Sequence, residues 1–552
     1  MKKIIILILS LYIFSSCTND FAEINTNPLD QVTATPEELL PTAIIKGYNG
    51  SYEYYYDYYR RIMPWTQTLV PGTGNSGQFM DDASNMNHRY YNFYGDHGGL
   101  LSDIIYKINQ MTPDQQAKYI NIKSIATILK VYYAWYVTDT NGSLAYTEAF
   151  QARYGGTQTP KYETQEQLYD IFDKQLSDVY TAIEEAEQSI QIKPGNKDLF
   201  FEGDMGKWKK VANSLRLKIA SRLMKRNPDK LISIATQVLS RDEISNMTED
   251  FSLRSRRLTE HGNFNPTGMS ATKPMVDFMN DTQDPRRRVF FEKNDYSAES
   301  INKLVAAGLM KPTDTTQRYV GGPVSPDMTP ANKSRYYTAA KRLLNGINYD
   351  TISRLQYRIW RPENSVGTNI GTGNAIFPLL TYADYSLLKA ELATRNIISG
   401  NAQTFYIEGI KASFKTYDYI AKEAAVDKYY SIKDHEINNY LANSQILFDP
   451  SKALEQIIIQ EYLNYFKQPN EVWALIKRTG MPNINTILKF EIPTRDGGIT
   501  LSMPRRIAIP TPSKDNLNFQ NQQAALNQMK QDPDFGGNES NIFGRIWWDK
   551  NN

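Results

Sequence analysis

The chain has 552 residues, with 62 basic against 60 acidic side chains, a single cysteine and a hydrophobic fraction of 41%. A balance so close to neutral excludes general nucleic-acid affinity, which needs net or clustered basic charge. One cysteine excludes an internal disulfide framework, so the fold must rest on its apolar core, for which the length is ample.

In chain order, the first element is a targeting signal. Lys2 and Lys3 precede "IIILILSLYIF" (4–14), an uncharged and mostly apolar run; Ser15, Ser16 and Cys17 follow. Basic, apolar, then small is the order of a secretory signal. The run is too short to span a bilayer, which takes about 20 apolar residues. "FSSC" resembles a lipobox, where bacteria attach lipid to a cysteine and cleave just before it; Phe14 departs from the commoner Leu. Residues 1–16 are thus expected to be removed and Cys17 to carry lipid (palmitate among its acyl chains). The competing readings are ordinary signal cleavage and a small buried hydrophobe. Loss of the two lysines leaves basic and acidic residues equal in number, so lipid rather than charge would hold the membrane. Several acyl chains make a stable anchor where one is marginal. Residues 17–36 are polar, hold Pro28 and Pro36, and read as a tether.

Residues 37–552 read as one mainly α-helical domain. Ile120, Ile125, Ile128, Leu129, Tyr132 and Tyr136 form one stripe, and Leu168, Ile171, Phe172, Leu176, Val179, Tyr180 and Ile183 a second, at helical spacing. A third runs from Trp208 to Leu223 and stops at Asn227-Pro228, after which Asp229 is a plausible new start. Helices are expected again over 379–398, 402–420, 452–466 and 470–477. Consecutive pairing resembles tetratricopeptide packing, although no repeat of about 34 residues is visible. From about 241 to 375 the chain turns rich in Gly, Pro, Asn and Tyr and reads as a loop-rich insert, where binding surfaces tend to be built.

Motifs for catalysis fail one by one. "GTGNSG" (72–77) matches GxGxxG but lacks a preceding strand and following helix. The histidines, His88, His97, His261 and His435, have no tight metal spacing; His97 reads as part of a structural turn. No GxSxG elbow is present, and no carboxylate pair stands out. Neither metal nor cofactor is expected. Aromatics are abundant instead, with 37 tyrosines and 7 tryptophans, and "YNGSYEYYYDYYRRIMPW" (48–65) concentrates them. Tyr52, Tyr55, Tyr56 and Tyr59 share one helical face, a spacing that more often marks core than ligand site. Rings with a polar edge suit half-apolar ligands such as sugars or peptides. Trp65, Tyr319, Tyr337 and Trp360 are the expected platform, with Tyr336 and Tyr349 as further candidates.

Taken together, the motifs resemble the SusD/RagB family of nutrient-binding outer-membrane lipoproteins. "NTNP" (25–28) is similar to the family's leading segment. "DTNGSLAYTEAF" (139–150) resembles its G-x-x-P-Y-x-E-A loop, with Ala145 in place of proline. "GDMGKWKKVANSLRLKIASRL" (203–223) is similar to its W-x-x-x-A-N-S-L-R helix. "DPRRR" (284–288), "YVGG" (319–322), "PLLTYADYSLLKAELATR" (378–395), "YIEGIKASF" (406–414), "ALEQIIIQEYLNYF" with "NEVWALIKRTGMP" (453–482), and "MPRRIAIP" with "WWD" (503–549) follow in family order. The resemblance implies a helical domain with four tetratricopeptide-type pairs. It implies a non-catalytic lipoprotein facing the cell exterior at the outer membrane. That protein would be a hinged lid on a SusC-type TonB-dependent transporter, capturing an oligosaccharide or, alternatively, an oligopeptide, with no nucleic acid. A secreted helical glycoside hydrolase and a purely structural lipoprotein are the readings from other classes.

Overall fold

The computed structural model describes residues 34–47, 53–71, 87–255, 268–312, 317–324, 342–361, 373–495, 499–509 and 511–551. Cys17 with its signal and the tether as far as residue 33, "NTNP", "GTGNSG", His261, Tyr52, Tyr336 and Tyr337 lie outside the described residues; the expected end of the tether, Pro36, opens the first helix.

The helical stripes become buried faces. After α1 (Pro36–Lys46) and α2 (Gly98–Asn109) comes α3 (Ile120–Asn141), then α4 (Gln165–Ala186). Thr164 caps α4. Its hydroxyl accepts the Gln167 N–H at 3.2 Å, and the Gln167 side chain accepts the Thr164 N–H at 2.9 Å, which satisfies two donors that the first turn leaves free. α5 (Met205–Ala220) ends in a 3-10 turn, and α6 is Pro228–Leu239. Its cap is Asn227 rather than Asp229. Asn227 accepts the Lys230 N–H at 3.1 Å, and Pro228 takes the first position, where no N–H is needed.

The insert is less irregular than its composition. It holds α7 (Lys273–Asp281) and α8 (Ala298–Ala306). It also contributes short strands: β3 (Met269–Ala271), which pairs with the upstream β1 (Leu69–Pro71), and β4 (Arg342–Leu344), which pairs with β5 (Ile347–Tyr349). β2 (Phe251–Ser255) runs antiparallel to β6 (Ala375–Leu380), with Leu253 opposite Phe377. β6 occupies the start of a stretch that reads as helix, because its apolar run is buried on both faces and so lacks alternation. Beyond it come α9 (Tyr382–Thr394), α10 (Ala402–Glu423), α11 (Asp434–Ala442), α12 (Ala453–Asn464), α13 (Pro469–Thr479) and α14 (Phe519–Met529). α2 packs on α3, α4 on α5, α9 on α10 and α12 on α13, and α9 also meets α12. One continuous apolar core results, with a satellite of Tyr296, Leu304, Met310 and Tyr349.

The tyrosine-rich segment departs from its expected periodicity. Glu53–Ile62 winds as a π-helix, whose wider turn changes which residues share a face. Tyr54, Tyr58 and Tyr59 are buried, together with Glu53, Asp57 and Arg61, while Tyr55 and Tyr56 are half-buried.

Most of the family-like motifs build scaffold. Trp208 donates to Asp198 at 2.7 Å, and Asn213 donates to the carbonyls of Val238 and Asp242 at 2.9 and 3.0 Å. Glu471 on α13 accepts from Arg222 and pairs with Lys218, both at 2.9 Å, and Arg222 also reaches Asp139 of α3 at 3.0 Å. Arg286 is sealed between Asp284, Ser413 and Gln460. Such groups bear burial only because each finds partners.

Candidate functional site

A cleft of about 610 Å³ opens where the insert meets the end of α10. Its floor is a short antiparallel bridge, Phe291 to Leu355. The Glu292 N–H donates to the Arg354 carbonyl at 2.9 Å, and the Gln356 N–H to that of Phe290 at 2.9 Å. The 317–322 segment is laced alongside: the Ser353 N–H donates to Val320, and the Asn294 N–H to Arg318. Gly321 permits this packing, since a Cβ there would meet the Thr272 carbonyl oxygen at 2.2 Å. Tyr319 is thereby held in the wall, with the Arg287 guanidinium 5.3 Å from its ring centre. Burial pushes its hydroxyl up to about 12, so it acts as a neutral donor.

The opposite wall is the turn after α10, residues 424–430. Ala425 and Lys428 lie in the left-handed region, at φ 49° and 51°. Left-handed backbone at residues other than glycine is uncommon and persists only where surroundings hold it. Here Asp418 accepts from the Tyr429 hydroxyl at 2.7 Å and the Ile432 N–H at 2.8 Å. Arg288 donates to the Tyr430 and Ser431 carbonyls at 3.2 Å and forks onto both Glu436 oxygens at 2.8 and 2.7 Å. The same guanidinium stands 4.1 Å over the Tyr430 ring. Tyr430 remains 56% exposed, an immobilised ring offering surface to the cleft. Tyr357, Tyr319 and Tyr429 complete the aromatic lining, with Glu292 and Asp427 as acceptors. A second cleft of about 860 Å³ beside α7 has phenylalanines but no tyrosine or tryptophan in its lining. Of these two clefts the first joins tyrosine rings to polar groups, the combination that sugar recognition uses; a third, also lined by tyrosines, is only about 40 Å³ and too small for a sugar ring.

Of the expected platform residues that are described, Trp65, Tyr319 and Trp360, only Tyr319 lines this cleft. Trp65 and Trp360 must be corrected: they are 2% and 0% exposed. Trp360 meets Tyr54, Tyr59 and Phe466 edge to face, so no sugar can reach either ring. Tyr349 belongs to the satellite core. His97 is buried against Phe93 and Tyr133, and burial lowers it to about 3. Sequence reading missed Tyr357, Tyr429, Tyr430 and Arg358. The signal available was "DKYYSIKD" (427–434), two adjacent tyrosines among charges between two helical stripes. Among the described residues, no three His, Cys, Asp or Glu side chains converge as metal ligands, and no helix is long and apolar enough to cross a membrane.

Fold and cleft together define a helical binding protein. A SusD-like family model, described as starch-binding and associating with the outer membrane, matches residues 26–510. The chain belongs to that family, whose members bind ligands rather than transform them and which is associated with the outer membrane. Among solved structures it is similar to a chitin-binding protein, with TM-score 0.70, 21% identity, and 94% of this chain and 100% of that chain covered. A Bacteroidetes SusD-like protein has TM-score 0.69 and 20% identity, over 94% of this chain and 100% of the other. A SusD homolog of Bacteroides fragilis has TM-score 0.65 and 22% identity, with the same coverage. No curated protein sequence matches the chain.

Proposed function

We propose that the protein captures an oligosaccharide in the cleft between Tyr319 and Tyr430 and hands it to a SusC-type TonB-dependent transporter, over which it moves as a hinged lid. Family membership supports a glycan-binding role at the outer membrane. The observation that carries the site is Tyr430, exposed and braced from behind by Arg288. A ring held before the ligand arrives costs little ordering entropy on binding. In calorimetry against a glycan panel and a mixed peptide pool, glycan heat is expected. Tyr430→Ala should weaken glycan binding about two- to tenfold, the worth of one aromatic contact, with a further loss in Tyr319→Ala. Heat from peptides alone, or glycan affinity untouched by both changes, would sink the reading.

The anchor proposed here is lipid on Cys17, with residues 1–16 removed, residues 17–36 as tether and the body facing the cell exterior. The basic, apolar and small order of residues 2–17 supports it. Cys17→Ala is expected to leave protein that no longer sediments with membranes and takes up no palmitate analogue. Labelling that persists in this variant would refute the anchor.

A further inference from the structure

We propose that the cleft selects acidic oligosaccharides, with Arg358 as the group that takes a sugar carboxylate or sulfate; this rests on the glycan reading above. Five basic side chains line the cleft, Arg288, Lys293, Arg354, Arg358 and Lys428, against two acidic ones, Glu292 and Asp427. Two of the five are already neutralised by the protein. Arg288 forks onto Glu436, and Arg354 pairs with Asp350.

Arg358 is different. It is only 8% exposed, on a short 3-10 turn that lines the cleft, and it has no hydrogen bond and no ion pair among the described residues. Its one close ring is Tyr357, whose centre lies 5.9 Å away. Other deeply placed arginines of the scaffold motifs, Arg222, Arg286 and Arg478, each meet a carboxylate, and Arg506 donates to three backbone carbonyls instead. The Arg358 nitrogens are not among the buried atoms that lack a partner, so the guanidinium meets the water of the cleft, with Glu292 in electrostatic reach but not hydrogen-bonded to it; its planar fork matches a carboxylate or sulfate in bidentate fashion. A ligand anion in the cleft would give this fork the bidentate partner that no described residue supplies. Lys428 and Lys293 are exposed at the same opening and form no ion pair among the described residues, so they extend the positive field toward an approaching anion. Glu292 opposes this field weakly, since burial pushes its carboxyl above the ordinary range, Asp295 adds to this, and Arg354 and Arg358 only partly pull it back. Tyr319, Tyr357 and Tyr430 supply ring faces for the sugar itself, which favours an acidic glycan over an acidic peptide.

The full-length protein, in detergent, should be titrated with three probes: an oligogalacturonate, the same oligosaccharide after carboxyl reduction, and a sulfated heparin oligosaccharide, beside a neutral panel and an acidic peptide. An acidic sugar is expected to bind at least about tenfold tighter than its neutral counterpart, the scale of hydrogen bonds to charged groups. Added salt should erode that margin while sparing neutral binding. Arg358→Gln should erase it, and Arg358→Lys should restore part of it. Preference for the uronate or for heparin tells carboxylate from sulfate, and either supports the inference. Should Arg358→Gln fail to fold, Lys428→Gln and Lys293→Gln, both on the surface, must each reduce the margin. Equal binding of oligogalacturonate and its reduced form, with heparin no tighter, overturns the acidic selectivity and leaves the glycan reading intact. Binding of the acidic peptide alone, or of no sugar, overturns both.

Discussion

Glu471→Ala is expected to destabilise the protein by about 3–5 kcal/mol, the usual loss when one partner of a buried ion pair is removed. Glu471 is 2% exposed and pairs with Lys218 and Arg222, on the far side of the chain in sequence. Burial opposes its ionisation, but Arg222 and Lys218 outweigh burial and hold the carboxyl below its ordinary range. Without it, two cations would face each other in the core, with Asp139 left to serve Arg222 alone. The effect is read as a shift of the urea midpoint at unchanged slope. Glu471→Gln, which keeps shape and loses charge, should fall between. A loss below about 1 kcal/mol, the range of exposed pairs, would show that the network is wetted and does not bind α5 to α13.

Glu53→Gln should make the protein more stable at pH 8, by about 3 kcal/mol, with little change at pH 4. Glu53 sits in the π-helix at 6% exposure, accepting from the Tyr136 hydroxyl and from Asn92 at 3.3 Å. Burial pushes it up from 4.5 to about 7; Arg89 opposes this and Asp57 adds to it. Asp57, itself pushed up to about 6 by burial, accepts the His88 N–H at 3.1 Å. The sign follows from proton linkage. A carboxyl whose folded pKa exceeds its unfolded one binds more protons in the native state between the two. Its stabilising contribution is whole below about 4.5 and is lost as pH rises through about 7. The gap corresponds to about 3 kcal/mol. Glutamine mimics the protonated acid and cannot ionise, so the variant's stability should fall less steeply over that window. Superimposable pH curves for variant and parent would mean that Glu53 ionises freely in the fold.

The helical architecture was legible because amphipathic stripes need only the local 3.6-residue period and a cap. The Leu168 to Ile183 stripe is buried in α4, and Thr164 caps it. The family was legible for a related reason. Trp208, Asn213, Arg222, Arg286 and Glu471 stand in motifs because each must find a particular partner in the core, and such residues leave a pattern in sequence. These same motifs say little about the ligand, because they are spent on the scaffold. The cleft was mostly illegible. Trp65 and Trp360 have ligand-like chemistry, but whether a ring faces solvent depends on what packs above it, and here the π-helix and Phe466 cover Trp360. Tyr430 looked like any loop tyrosine until Arg288, remote in sequence, was placed under its ring. The sequence by itself thus determined the helical class and the family, both written in local period or in core partners. Only the tertiary structure decided which aromatics are exposed at the cleft and which are sealed in the core. Exposure is a property of the assembled surface, where residues hundreds apart in the chain come together.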